Sequence, residues 1–144
     1  FSEKAHFDIL VRPTLNPNLS EYISRLTSIT DELLAKSGVS FQEALNSFAV
    51  FVGTQAQLLS NGGDGSVFVE NCDLNRVKLP FAKERCVDVG PLLVKAMGAT
   101  DDHISSSDIP ELLSLKVPRR SHNALDDARA IGDGLRELRT LGRL

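Results

Sequence analysis

The sequence predicts an α/β layer fold, on three observations. Short apolar runs bounded by turn residues alternate with longer segments of helical periodicity. Capping residues and glycines sit where those helical segments should start and stop. Helices outnumber strands, five or more against about three, so the sheet is small for the helices around it. In chain order, "AHFDILVRP" reads as a strand over His6–Arg12 that stops at Pro13, because proline cannot donate to a ladder. "TLNPN" is a turn, after which Asn18 caps a helix through Leu19, Ile23 and Leu26, with Glu21 at the capping-box position. "LTSIT", residues 26–30, interrupts it. Thr30 caps a short helix closed by Gly38. Ser40 caps the next, with Glu43 three residues on and apolar residues at 41, 44, 45, 48 and 52. "AQLLSNGGDG" is an apolar strand running into a glycine-rich turn, and "SVFVENCDLNRV" is helical. "ERCVDVG" holds a short strand. "PLLVKAMG" is a helix with Pro91 in its first turn and Gly98 after its end. "SSSDIPELLSLK" is a further capped helix. The last helix lines up Leu125, Ala128, Ile131, Leu135 and Leu138 on one face.

The chain has 144 residues, the size of one domain, and residues 1–144 are read as a single unit. Its hydrophobic share of 42% and charged share of 24% are those of a globular protein. No run of about 18 apolar residues is present, so no membrane span is expected. The net charge of -3 argues against gripping nucleic acid by bulk charge. It leaves room for an enzyme whose acids hold divalent metal. Cys72 and Cys86 form no C-x-x-C pair and have no histidine at ligand spacing, so they read as ordinary thiols of an intracellular protein, cytoplasmic or nuclear.

The stretch that carries chemistry is "PRRSHNALDDARA", residues 118–130. A lone histidine before a helix is ordinarily a surface or capping residue. Two acids in a first helical turn are ordinarily dipole charges. The surrounding pattern points further. "HNALDDA" resembles the third motif of the DEDDh 3′-to-5′ exonuclease superfamily, on His122, Ala124, Asp127 and Ala128. "LTSIT" resembles that family's Leu-Thr-Gly-Ile-Thr element, with Ser28 in place of glycine. Residues 58–89 resemble the second-motif region of the group that trims histone mRNA and small interfering RNA, which places its acid at Asp64.

The resemblance runs from about Asp8 to Leu138. It implies an RNase H-like three-layer fold with a mixed central sheet flanked by helices. The implied activity is 3′-to-5′ hydrolysis of RNA, or of DNA, from single-stranded 3′ ends. The family uses two divalent ions, Mg²⁺ or Mn²⁺, roughly 3.5–4 Å apart. Such hard ions take carboxylate oxygen. The resemblance makes Asp64 and Asp127 metal ligands and His122 the general base, a role suited to an imidazole at neutral pH. Leu26 and Thr27 would lie near the terminal nucleotide, and Arg119 and Arg120 would hold substrate phosphates.

The family's first motif, Asp-x-Glu on a leading strand, does not occur. Asp8 lies on the first expected strand but has Leu10 two places on. The leading strands and their acids are therefore expected ahead of Phe1, and the domain is read as N-terminally incomplete and inactive alone. The alternative is a non-catalytic exonuclease-like module that binds nucleic acid or an unknown protein partner. The remaining polar candidates have plainer readings. Asp126 reads as a helix-front charge, Lys83 and Arg85 as surface, Phe48, Phe51 and Phe68 as core, and His6 and His103 as incidental.

Overall fold

Hydroxyl side chains start the first three helices: α1 (Glu21–Thr27), α2 (Asp31–Ser37) and α3 (Phe41–Val52). Ser20, Thr30 and Ser40 each accept a hydrogen bond at 3.2 Å from the amide three residues on. Each thereby satisfies one amide that the helix itself leaves unpaired. The computed structural model describes residues 2–144. It moves the start of α1 from Asn18 to Ser20. The Leu19 amide is taken by the Asp31 carboxylate at 2.9 Å, which holds the preceding turn outside the helix. Ser28 ends α1 in the left-handed region, φ 60°. Glycine reaches that conformation without strain, which gives a physical sense to the glycine of the resembled element.

Two parallel strands follow, β1 (Leu58–Ser60) and β2 (Cys86–Asp88), joined through α4 (Asp64–Asn75). Leu58, Leu59 and Ser60 pair with Cys86, Val87 and Asp88. Side chains alternate across a strand. Cys86 and Leu58 therefore pack with Leu45, Cys72 and Phe81 beside α3 and α4. Val87 packs with Val89, Leu93, Ile104, Ile109, Leu135 and Leu138 on the other side. That second core belongs to α5 (Gly90–Met97), α6 (Ile109–Leu112) and α7 (Ala124–Thr140). Helices thus cover both faces of the sheet, which is why its strands carry apolar residues on both. Leu93, Ile109 and Leu138 are fully buried. Each contributes about 1.5–3 kcal/mol by leaving water.

Several sequence expectations are corrected. His6–Arg12 forms no strand; its pairing is one parallel bridge between Val11 and Val39. Apolar alternation proposes a strand, but a ladder requires a partner along its length, and here Arg12 N–H and Leu10 C=O meet only Val39. Asp8 accordingly lies in irregular backbone. The sheet shows parallel pairing alone among the described residues, where a mixed sheet was expected. The helix expected over "SSSDIPELLSLK" shrinks to a 3₁₀ turn, Ser106–Asp108, and the single turn of α6. Ser114 at φ 54° and the Leu115 amide bonded back to Pro110 close it early. Phe48 and Phe68 pack on the α3–α4 core, but Phe51 is exposed and meets Phe7 at 5.4 Å. Arg85 is half-buried, donating to Ala56 C=O at 2.8 Å and lying over the Phe81 ring.

Candidate functional site

The loop before α7 is tied down at both ends. Asn123 caps the helix: its side-chain oxygen accepts from the Asp126 amide at 3.1 Å and its carbonyl from the Asp127 amide at 2.8 Å. Its own amide closes a turn on the Arg120 carbonyl at 3.4 Å. His122 is the second central residue of that turn, at φ 59°. Such positions ordinarily go to glycine or asparagine. For another L-residue the left-handed region costs roughly 1–2 kcal/mol. Strain of that kind survives where surrounding bonds over-determine it, and it gathers at functional sites.

The acids of α7 divide into two kinds. Asp126 is 7% exposed. Its carboxylate accepts from the Arg120 amide at 3.2 Å and Arg120 Nε at 2.9 Å, with Arg129 at 3.5 Å. The hydrogen bonds from the Arg120 side chain and amide hold Asp126 below the usual carboxylate value. Its reading as a simple helix-front charge is thus corrected. Asp133 accepts from Arg119 Nε at 3.2 Å and from Arg136 at 2.8 Å. Burial raises Asp133, but these arginine bonds outweigh it and the net shift is downward. Asp127 is different. No hydrogen bond or ion pair reaches its carboxylate among the described residues. Burial pushes it above the ordinary value, nearby His122 partly offsets this, and Asp126 adds to it. A half-buried carboxylate raised by burial is a candidate functional group.

His122 thus lies within electrostatic reach of Asp127, with no direct bond between them among the described residues. Asp64 begins α4 after the Gly62–Gly63 turn, exposed and without a hydrogen-bond partner among the described residues. Its charge acts on Cys86, against which Gly65 packs so closely that a Cβ there would fall 2.7 Å from the Cys86 Cβ. Burial, the largest influence, pushes both the Cys86 and Cys72 thiols up. Among the described residues no group of three or more His, Cys, Asp or Glu is arranged to hold a metal ion. Two unpaired carboxylates fit metal ligation chemically, yet they fall short of the donor set that two octahedral ions require.

The substrate candidates are engaged to different degrees. Arg119 is held by Asp133 and is largely buried. The Arg120 side chain is 75% exposed; Nε is anchored on Asp126 and its outer nitrogens have no partner among the described residues. Thr27 donates to Ile23 C=O at 2.8 Å and accepts from the Ile29 amide, and Leu26 is half-buried beside it. A cavity of about 420 Å³ lies elsewhere, lined by Phe7, Phe48, Phe51, Leu59, Leu125 and Arg129. His122, Asp64 and Asp127 do not line it. His6, read as incidental, lies on that cavity with Glu3 at 3.6 Å.

The exonuclease (RNase T) family model matches residues 2–133. The chain belongs to this exonuclease family. The structure of a full-length 3′-exonuclease matches this exonuclease-family chain with a TM-score of 0.72 and 24% identity, over 92% of this chain and 45% of that one. At that identity the likeness establishes a shared RNase H-like α/β fold. The chain spans under half the length of that protein. No curated protein matches. No helix among the described residues is long and apolar enough to cross a membrane.

Asp126 and Asn123 are the residues that sequence reasoning passed over in this exonuclease-family site. The available signal was the arginine pair 119–120 ahead of Asp126 and Asp133, since a buried acid requires a cation within reach.

Proposed function

We propose that this chain carries the third-motif side of a metal-dependent 3′-to-5′ exonuclease centre acting on single-stranded RNA. The observation that carries the reading is His122, held left-handed beside a half-buried, unpaired Asp127. In this reading the imidazole accepts the proton of an attacking water, the base role at neutral pH. Arg120, oriented through its Nε by Asp126, offers its outer nitrogens to a substrate phosphate. Arg119 reaches a phosphate only by leaving Asp133. Leu26 and Thr27 form the end of α1 against which a terminal nucleotide would rest. Asp127 and Asp64 are the carboxylates this chain offers to Mg²⁺ or Mn²⁺, ions that supply Lewis-acid activation in such centres. The preference for RNA over DNA rests on the likeness of residues 58–89. Two free thiols raised by burial accord with an intracellular setting.

A second reading is a non-catalytic exonuclease-like module, favoured by the lack of Asp-x-Glu in the sequence and of a three-ligand group among the described residues. Digestion of 3′-labelled single-stranded RNA and DNA across a Mg²⁺ and Mn²⁺ titration decides between them. In a protein that also supplies the Asp-x-Glu acids, the expected result is digestion that His122→Ala slows roughly 10²–10⁴-fold. Added metal should restore Asp127→Asn in part and His122→Ala not at all. Binding of 3′ ends without metal-dependent digestion supports the module instead.

A further inference from the structure

We infer that Asp126 is the positioning residue of this site, holding shut the turn that keeps His122 beside Asp127. The inference rests on the exonuclease reading only for the purpose it assigns to His122; the geometry stands apart from it. The Asp126 carboxylate accepts from the Arg120 amide and Arg120 Nε, while the Asp126 amide donates to Asn123 Oδ1. The bonds are reciprocal: the first helical turn grips both ends of the four-residue turn Arg120–Asn123, with His122 between them. Arg129 supports the same carboxylate from the next helical turn and is itself held by Glu3 through three bonds, at 2.9, 3.0 and 3.3 Å. The Asp126 carboxylate thus holds the Arg120 end of the turn and the Asp126 amide the Asn123 end, so the carboxylate secures one of the two ends of the turn that keeps His122 left-handed. Release of that side chain leaves the histidine free to relax into ordinary backbone, carrying the imidazole away from Asp127.

The test compares Asp126→Ala, Asp126→Asn and the unmodified protein by two readouts. The first is the position of the His122 amide and ring resonances in the folded protein. The second is kcat and KM on 3′-labelled single-stranded RNA. Asp126→Ala should move the His122 resonances toward those of a flexible peptide and lower kcat on the order of 10²-fold, as for a displaced catalytic group, while KM rises because Arg120 loses the anchor of its Nε. Asp126→Asn retains an acceptor for the Arg120 amide, so the His122 resonances should stay near their original positions and most of kcat should return. A residue that only stabilises the fold would lower the thermal midpoint in both variants and leave His122 resonances in place. That outcome overturns the inference. Should Asp126→Ala fail to fold, Asp126→Ser, too short to reach Arg120, reads the same comparison. Absence of nuclease activity even in a protein that also supplies the Asp-x-Glu acids sinks the exonuclease reading, and the His122 resonances then decide the positioning role alone.

Discussion

Two glycines of α7, two residues apart, offer a matched test of how the helix that carries Asp127 is seated. A Cβ at Gly134 would lie 2.5 Å from Cγ2 of Ile109, whereas a Cβ at Gly132 meets nothing within 4 Å. Ordinary carbon contacts are about 3.5–4.0 Å, so Gly134→Ala forces an overlap of about an ångström. Ile109 is fully buried and β-branched, so it has little freedom to rotate away. Overpacking of this kind costs about 1–3 kcal/mol. Both substitutions gain the same helix propensity, about 0.8–1.0 kcal/mol. At Gly132 the gain stands alone; at Gly134 the overlap should exceed it. A chain of this size shifts by about 2–4 °C per kcal/mol. Gly132→Ala should therefore melt a few degrees higher and Gly134→Ala lower. The difference between them isolates the close approach of α6 and α7. Equal thermal midpoints, or equal denaturant midpoints, would refute the claim that this approach is built on a missing side chain.

Asp127→Asn should stabilise the fold at neutral pH, by no more than about 1 kcal/mol because a partly hydrated carboxylate loses only part of its solvation, while it lowers nuclease activity. Denaturant midpoints and digestion rates on one preparation check both signs, and a loss of stability would show that Asp127 has a structural partner. The acids of α7 also predict a two-part pH response. Asp126 and Asp133 lie below their ordinary values, so their contribution is full above the unfolded carboxylate value, about 3.9, and is lost as pH falls through the folded values. Asp127 lies above its ordinary value, so its unfavourable contribution at neutral pH is relieved as pH falls through its folded value. Stability followed from neutral pH into acid should first hold or rise and then drop, and Asp127→Asn should remove the first part alone.

What the sequence disclosed depended on how local the cause was. Thr30, Ser40 and Gly98 act within a turn of their own helix, and they terminate α2, α3 and α5 as read. β1 and β2 were legible because short apolar runs at Leu58–Leu59 and Cys86–Val87 end at the turn residues that follow them. The segment His6–Arg12 has a comparable pattern, but strand formation is decided by what lies alongside, which periodicity does not report. The α7 stripe was only partly legible. Leu135 and Leu138 are buried as expected, while Ala128 is exposed. The buried row runs Asp126, Ala130, Gly134 and Leu138, and its first three members carry little hydrophobic signal. Gly134 is buried because Ile109 requires the space, and Asp126 because Arg120 and Arg129 reach it. Both causes are tertiary. For the candidate site, the motif spacing singled out His122 and Asp127 for attention, but the left-handed turn and the differing states of adjacent acids appeared only in three dimensions.

The contrast between those neighbours explains how one helix start can serve stability and chemistry together. A charged group near the amides of a first turn is favoured by the helix dipole, and either acid would satisfy that preference. Only one of them is neutralised. Asp126 points into arginines and holds the preceding turn, so its charge is matched inside the protein. Asp127, one residue on and therefore about 100° around the helix, faces away from those arginines and carries an unmatched, partly desolvated charge. Exchanging the roles would leave the His122 turn unsupported and the unmatched charge in the core. Adjacent acids with opposite shifts thus give one matched carboxylate that holds the preceding turn and one unmatched carboxylate on the same turn of helix, with His122 left-handed ahead of both.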